Sequence, residues 1–131
     1  MSKRNNFTGV NNRVNARGVA FIKSRKSIDN VKTILNDMNS MADANGITLT
    51  RAYHDSSFSL DFDRRELDDF FEMIDSECAQ VVVVRSLNEI TDNVSDLEKF
   101  ILTLAAKGVA VYCIAIGPVP VTISHAEDYA C

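Results

Sequence analysis

Tryptophan is absent from this chain, proline occurs only at Pro118 and Pro120, and glycine appears five times in 131 residues. So few breakers exclude a collagen-like or low-complexity chain and leave long stretches free to form regular elements. Cysteine is also scarce: Cys78, Cys113 and Cys131 stand far apart, without paired metal spacing, and their number is odd. This argues against a disulfide framework; all three read as reduced thiols, with Cys113 a small core residue inside an apolar run. No apolar stretch approaches the roughly 20 residues that a bilayer requires, and the opening Met-Ser-Lys-Arg-Asn-Asn has no apolar signal region behind it. The expectation is a cytoplasmic protein with no membrane partner.

What is present is an ordinary globular composition, 46% hydrophobic and 24% charged, of a length that suits one domain. The net charge of −4 hides an asymmetry. Residues 1–32 hold eight Lys or Arg against Asp29 alone, a net of +7, whereas the rest holds six basic and seventeen acidic side chains, a net of −11. The body is thus a poor general binder of nucleic acid, and any contact with DNA falls to the basic N-terminal segment. Residues 1–18 lack hydrophobic periodicity and read as a flexible basic arm; residues 19–116 form the domain, and residues 117–131 a tail or short edge strand.

Within the domain, Val19–Ile22 is a first strand ending in Lys23-Ser24-Arg25-Lys26-Ser27. Val31, Leu35, Met38 and Ala42 then recur at helical spacing, with Ser27 or Asp29 as cap and Asn45-Gly46 as stop. Ile47–Ala52 is a second strand, Tyr53–Asp63 a polar loop containing His54, and Arg64–Cys78 a second helix with Leu67, Phe70, Phe71 and Ile74 on its apolar stripe. Val81–Val84 shows no alternation and fits a strand covered on both faces. The polar stretch Arg85–Asn93 leaves its carboxyl end, where open α/β folds build their sites. Asn93–Lys107 is a third helix with Ser95 and Glu98 as a capping box, and Val109–Ile116 a fourth strand before Gly117-Pro118-Val119-Pro120 breaks the sheet. The order predicts a three-layer α/β/α fold with a mostly parallel sheet of four strands, or five with an edge strand from Val121–Ser124.

Four short motifs stand at the ends of these elements: Arg25-Lys26-Ser27, Tyr53-His54-Asp55 with Ser59, Arg64-Arg65-Glu66-Leu67, and Leu87-Asn88-Glu89-Ile90-Thr91-Asp92-Asn93. In this order the chain from Val19 to Ile116 resembles the catalytic domain of the serine recombinases, the resolvase and invertase family. The resemblance implies that Ser27 takes the position of the nucleophile that forms a phosphoserine link to DNA, and that Arg25 and Arg64 take phosphate-binding positions. It also aligns Asn88 with an aspartate, and Glu89 and Asp92 with two arginines of the family. Anchoring on Val19-Ala20 instead puts Lys26 at the nucleophile position.

Replacing guanidinium by carboxylate reverses an interaction worth several kcal/mol in a partly dry site. The expectation is a pseudoenzyme that does not cleave DNA and acts through association with itself or with a recombinase, with no cofactor. An active enzyme using Ser27, with Lys23, Lys26, Arg85 or a partner supplying cations, is the alternative; an unrelated small α/β binding module is another. Glu89 and Asp92 also suit the dipole of the helix that Asn93 or Thr91 caps. A magnesium site of Glu89, Asp92 and Asp55 is conceivable only through the alignment, so no metal is assigned.

Overall fold

The computed structural model of the chain describes residues 14–120. Its order is β1 (Ala16–Lys23), α1 (Ile28–Ala44), β2 (Ile47–Asp55), α2 (Arg65–Ser76), β3 (Val81–Val84), a short 3-10 turn (Leu87–Glu89), α3 (Val94–Ala106), β4 (Ala110–Cys113) and β5 (Gly117–Val119). The sheet runs β2-β1-β3-β4-β5, with β1 to β4 parallel and β5 antiparallel to β4.

Successive residues of β1 go to opposite faces, and both faces are buried. Val19 and Phe21 join Leu67, Phe70 and Ile74 of α2 and Phe100 and Leu104 of α3, whereas Ala20 and Ile22 join Val31, Met38 and Ala42 of α1. The strand therefore has no polar face to show, as expected of a parallel strand between helical layers. In the same way Val82 and Val84 of β3 enter the first cluster and Val83 the second. All three are wholly buried, each contributing roughly 1.5–3 kcal/mol by leaving water. The predicted three-layer α/β/α fold is the one observed.

Several boundaries differ from the sequence expectation. β1 begins at Ala16, inside the stretch read as an arm, because Ala16 to Gly18 pair with Ile47 to Leu49. β2 runs through Tyr53, His54 and Asp55 instead of ending at Ala52, since these residues pair with Phe21, Ile22 and Lys23. Gly117-Pro118-Val119 does not break the sheet: it forms the edge strand β5, where Pro118 faces Tyr112. Proline is tolerated there because an edge strand needs no donor on its outer side. The cap of α3 is Asn93, which accepts from the Asp96 amide at 2.9 Å, whereas Ser95 and Glu98 lie within the helix. Ser27 caps α1. Residues 1–13 and the stretch expected as an extra edge strand, Val121–Ser124, lie outside the described residues.

Candidate functional site

Parallel strands all point the same way, so the segments leaving β1, β2 and β3 meet at one end of the sheet. There they enclose an open cleft of about 400 Å³. Lys23, Ser24 and Arg25 contribute from the end of β1, and Ser57, Phe58 and Leu60 from the loop after β2. Asn88, Glu89 and Asp92 close it from the turn after β3.

Beneath the cleft lies an ion network. Asp55, the last residue of β2, is wholly buried. It accepts from the amide and hydroxyl of Ser57 at 2.9 and 2.7 Å and from Arg64 Nε at 3.0 Å. Lys23 Nζ stands 3.5 Å from the same carboxylate and donates to the Ser57 carbonyl at 2.8 Å. Burial alone would raise the Asp55 carboxyl; the Ser57 hydrogen bonds, then Lys23 and Arg64, outweigh it and hold the group below the ordinary aspartate value.

Arg64 does not line the cleft. Its guanidinium is buried and donates to Asp55 and to the carbonyls of Asp61, Ile90 and Glu89 at 2.8, 2.7 and 3.2 Å. These contacts join the end of β2, the start of α2 and the turn after β3, using the directions in which a guanidinium would grip a phosphate.

Glu89 plays a similar part on the other side. One of its oxygens accepts from the Lys23 amide at 2.8 Å, and the other forms an ion pair with Arg85 Nε at 2.8 Å. Arg85 in turn donates to the Lys23 carbonyl at 3.0 Å. Glu89 therefore ties the ends of β1 and β3 together, a role that helix-dipole reasoning did not anticipate. Asp92 is exposed at the cleft, and among the described residues it has no hydrogen-bond or ion-pair partner.

Of the other residues singled out in the sequence, Ser27 is exposed and accepts from the Asn30 amide at 3.4 Å as the α1 cap. It is not among the cleft residues; the hydroxyls there belong to Ser24 and Ser57. Lys26 is exposed, and its amide donates to Ser24 Oγ at 3.1 Å. Arg25 stays at the cleft mouth, where its guanidinium carbon lies 3.3 Å from the centroid of the Phe58 ring and its Nη1 donates to the Ser56 carbonyl at 2.8 Å. His54 Nε2 lies 2.7 Å from the Ser24 carbonyl oxygen. No group of three metal-ligating side chains occurs among the described residues, and the Asp55 carboxylate is directed at Ser57 and Arg64 rather than at Glu89 or Asp92. No helix among them is long and apolar enough to cross a membrane.

The sequence named Lys23 only as a substitute cation and did not single out Ser24, Ser57 and Phe58 as parts of this site; their only local signal was a position just beyond a strand end.

A mostly parallel sheet with helices on both faces and a polar cleft at the strand carboxyl ends defines an open α/β domain. The family model described as Resolvase, N terminal domain matches residues 17–128, and the chain belongs to that family. Its fold is shared with the N-terminal catalytic domain of TP901-1 integrase, at 18% identity and a TM-score of 0.61 over 77% of this chain and 78% of that one. The C-terminal catalytic domain of ISC1926 TnpA, an IS607-like serine recombinase, is similar at 18% identity and a TM-score of 0.63, over 86% and 77% of the two chains. A resolvase family site-specific recombinase from Streptococcus pneumoniae gives 20% identity and a TM-score of 0.60 over 88% and 85%. No curated protein matches.

Proposed function

We propose that this resolvase-family domain does not cleave DNA and that it works by protein association, with a second copy or with an active recombinase whose action it regulates. The observation that carries this reading is the state of the cations at the cleft. Arg64 is spent on Asp55 and three carbonyls, Lys23 on Asp55 and Ser57, and Arg85 on Glu89. Among the described residues Asp92 adds a negative charge without a partner, and of the two lining cations, Lys23 and Arg25, it is Arg25 that stays at the mouth. Phosphodiester attack needs donors aimed at the charge that develops on phosphate, and loss of one such donor typically costs a factor of about a hundred or more. Ser27 as a helix cap, outside the cleft lining, supports the same reading.

The test is an incubation of the full chain with supercoiled plasmid and with a random-sequence duplex pool, followed by denaturing electrophoresis. No protein–DNA adduct and no nicked plasmid are expected. An adduct that disappears in Ser27→Ala would establish the active-recombinase alternative and overturn this reading.

A further inference from the structure

The cleft separates its charges in a way that suits a particular ligand. The cations in and beneath it are directed at protein acceptors: Lys23 and Arg64 share the Asp55 carboxylate, and Arg85 pairs with Glu89. Positive charge without a carboxylate partner among the described residues remains at the mouth on Arg25, and the exposed Lys26, outside the lining, follows it in the chain. A phosphate therefore has its seat outside rather than in the depth.

The wall is apolar. Phe58 is 80% exposed and, with Leu60, lines the opening, while Arg25 covers its ring. With one face taken by the guanidinium and most of the side chain still exposed, the ring has the features of a stacking platform.

Across from it stand Asn88 and Asp92. Asn88 accepts from the Ser86 hydroxyl through Oδ1 at 2.9 Å, which leaves its amide hydrogens for a guest. The Asp92 carboxylate has no partner among the described residues and accepts only.

We propose that the cleft binds an unpaired base of single-stranded nucleic acid, with a preference for bases bearing an exocyclic amino group. The base enters beside Phe58 and Leu60, its amino group donates to Asp92, and its phosphates lie along Arg25 and Lys26. Carboxylates accept from amino groups such as that of cytosine, whereas thymine has none to offer. A single strand suits a body of net charge −11 because it sets its phosphates on one lip; a duplex presents them on every side. This site goes beyond the function proposed above and stands on the cleft alone.

Fluorescence anisotropy with the full chain and labelled ten-nucleotide oligo-dC and oligo-dT tests it, with an unlabelled duplex as competitor. Oligo-dC should bind about fivefold or more tightly than oligo-dT. Phe58→Ala should weaken oligo-dC by about tenfold, and Phe58→Tyr should keep wild-type affinity. Asp92→Ala should bring the two oligonucleotides to equal affinity, a change in their ratio that simple loss of negative charge does not produce. The proposal is overturned by affinity unchanged in Phe58→Ala, by equal wild-type binding of both oligonucleotides, by duplex competing as well as single strand, or by no binding. Running the same samples on a denaturing gel separates the two readings: an adduct defeats the absence of cleavage and leaves the base site standing, whereas lost selectivity does the reverse.

Discussion

Arg64 Nε and Nη2 both lie 3.0 Å from Asp55 Oδ2, with the arginine side chain 4% exposed and the aspartate not at all. A buried pair of this kind is held less by net attraction than by the cost of leaving either charge alone, since desolvation offsets much of the Coulomb gain. Arg64→Ala strands the Asp55 carboxylate and removes donors from the Asp61, Glu89 and Ile90 carbonyls. The expected loss is about 3–5 kcal/mol in urea unfolding. An unfolding midpoint within experimental error of wild type would show that the pair does not hold the site together.

The lowered Asp55 carboxyl fixes a direction for pH dependence. Its folded value lies below its unfolded one, so its stabilising contribution is present above the ordinary aspartate value of about 4 and is lost as pH falls through the folded value. Unfolding midpoints of wild type should fall in that acid range, and those of Asp55→Asn, already lower at neutral pH, should fall less steeply.

Tyr53 gives the opposite sign. Burial, followed by the Asp69 carboxylate that accepts from its hydroxyl at 3.3 Å, pushes it up to about 12. Its contribution is present below pH 10 and is lost as pH rises toward 12. An absorbance titration should show one phenol ionising near 12 that is missing in Tyr53→Phe.

Cys78 has φ of 52°, the left-handed conformation, just after α2. The amide of Ala79 reaches the Ile74 carbonyl at 3.1 Å and that of Cys78 reaches Asp75 at 3.2 Å, the bond pattern of a Schellman cap. Glycine adopts this conformation without a Cβ penalty of about 1 kcal/mol, partly offset by its greater freedom when unfolded. Cys78→Gly should raise stability by up to about 1 kcal/mol; a loss of that size would mean that the thiol makes a contact outweighing the strain.

Gly18 is set by a close approach. A Cβ there would meet Ile47 Cγ2 at 2.6 Å and Leu49 Cδ2 at 3.2 Å, beside a bulge that skips Thr50 in the pairing with β2. The Ile47 methyl is fixed near its own backbone and yields little. Gly18→Ala should cost about 1–3 kcal/mol in thermal or urea unfolding.

What the sequence determined by itself is what neighbours along the chain decide. The unbroken Val81–Val84 run marks a strand covered on both faces, Ser27 and Asn45-Gly46 bound a helix, and the alternation of strands with helices requires parallel crossovers that bring the strand carboxyl ends together. Short motifs at those ends carried the family resemblance. The sequence could not say which charged groups are free, because their partners lie far along the chain: Glu89 meets the Lys23 amide across 66 positions, Lys23 meets Asp55 across 32, and Arg64 reaches the Ile90 carbonyl across 26. Charge–charge energies depend on distance and burial, and only the packed sheet sets both. Tertiary structure alone set the Arg64 guanidinium against Asp55 and the Asp61, Glu89 and Ile90 carbonyls and left Arg25, Phe58 and Asp92 at the open cleft.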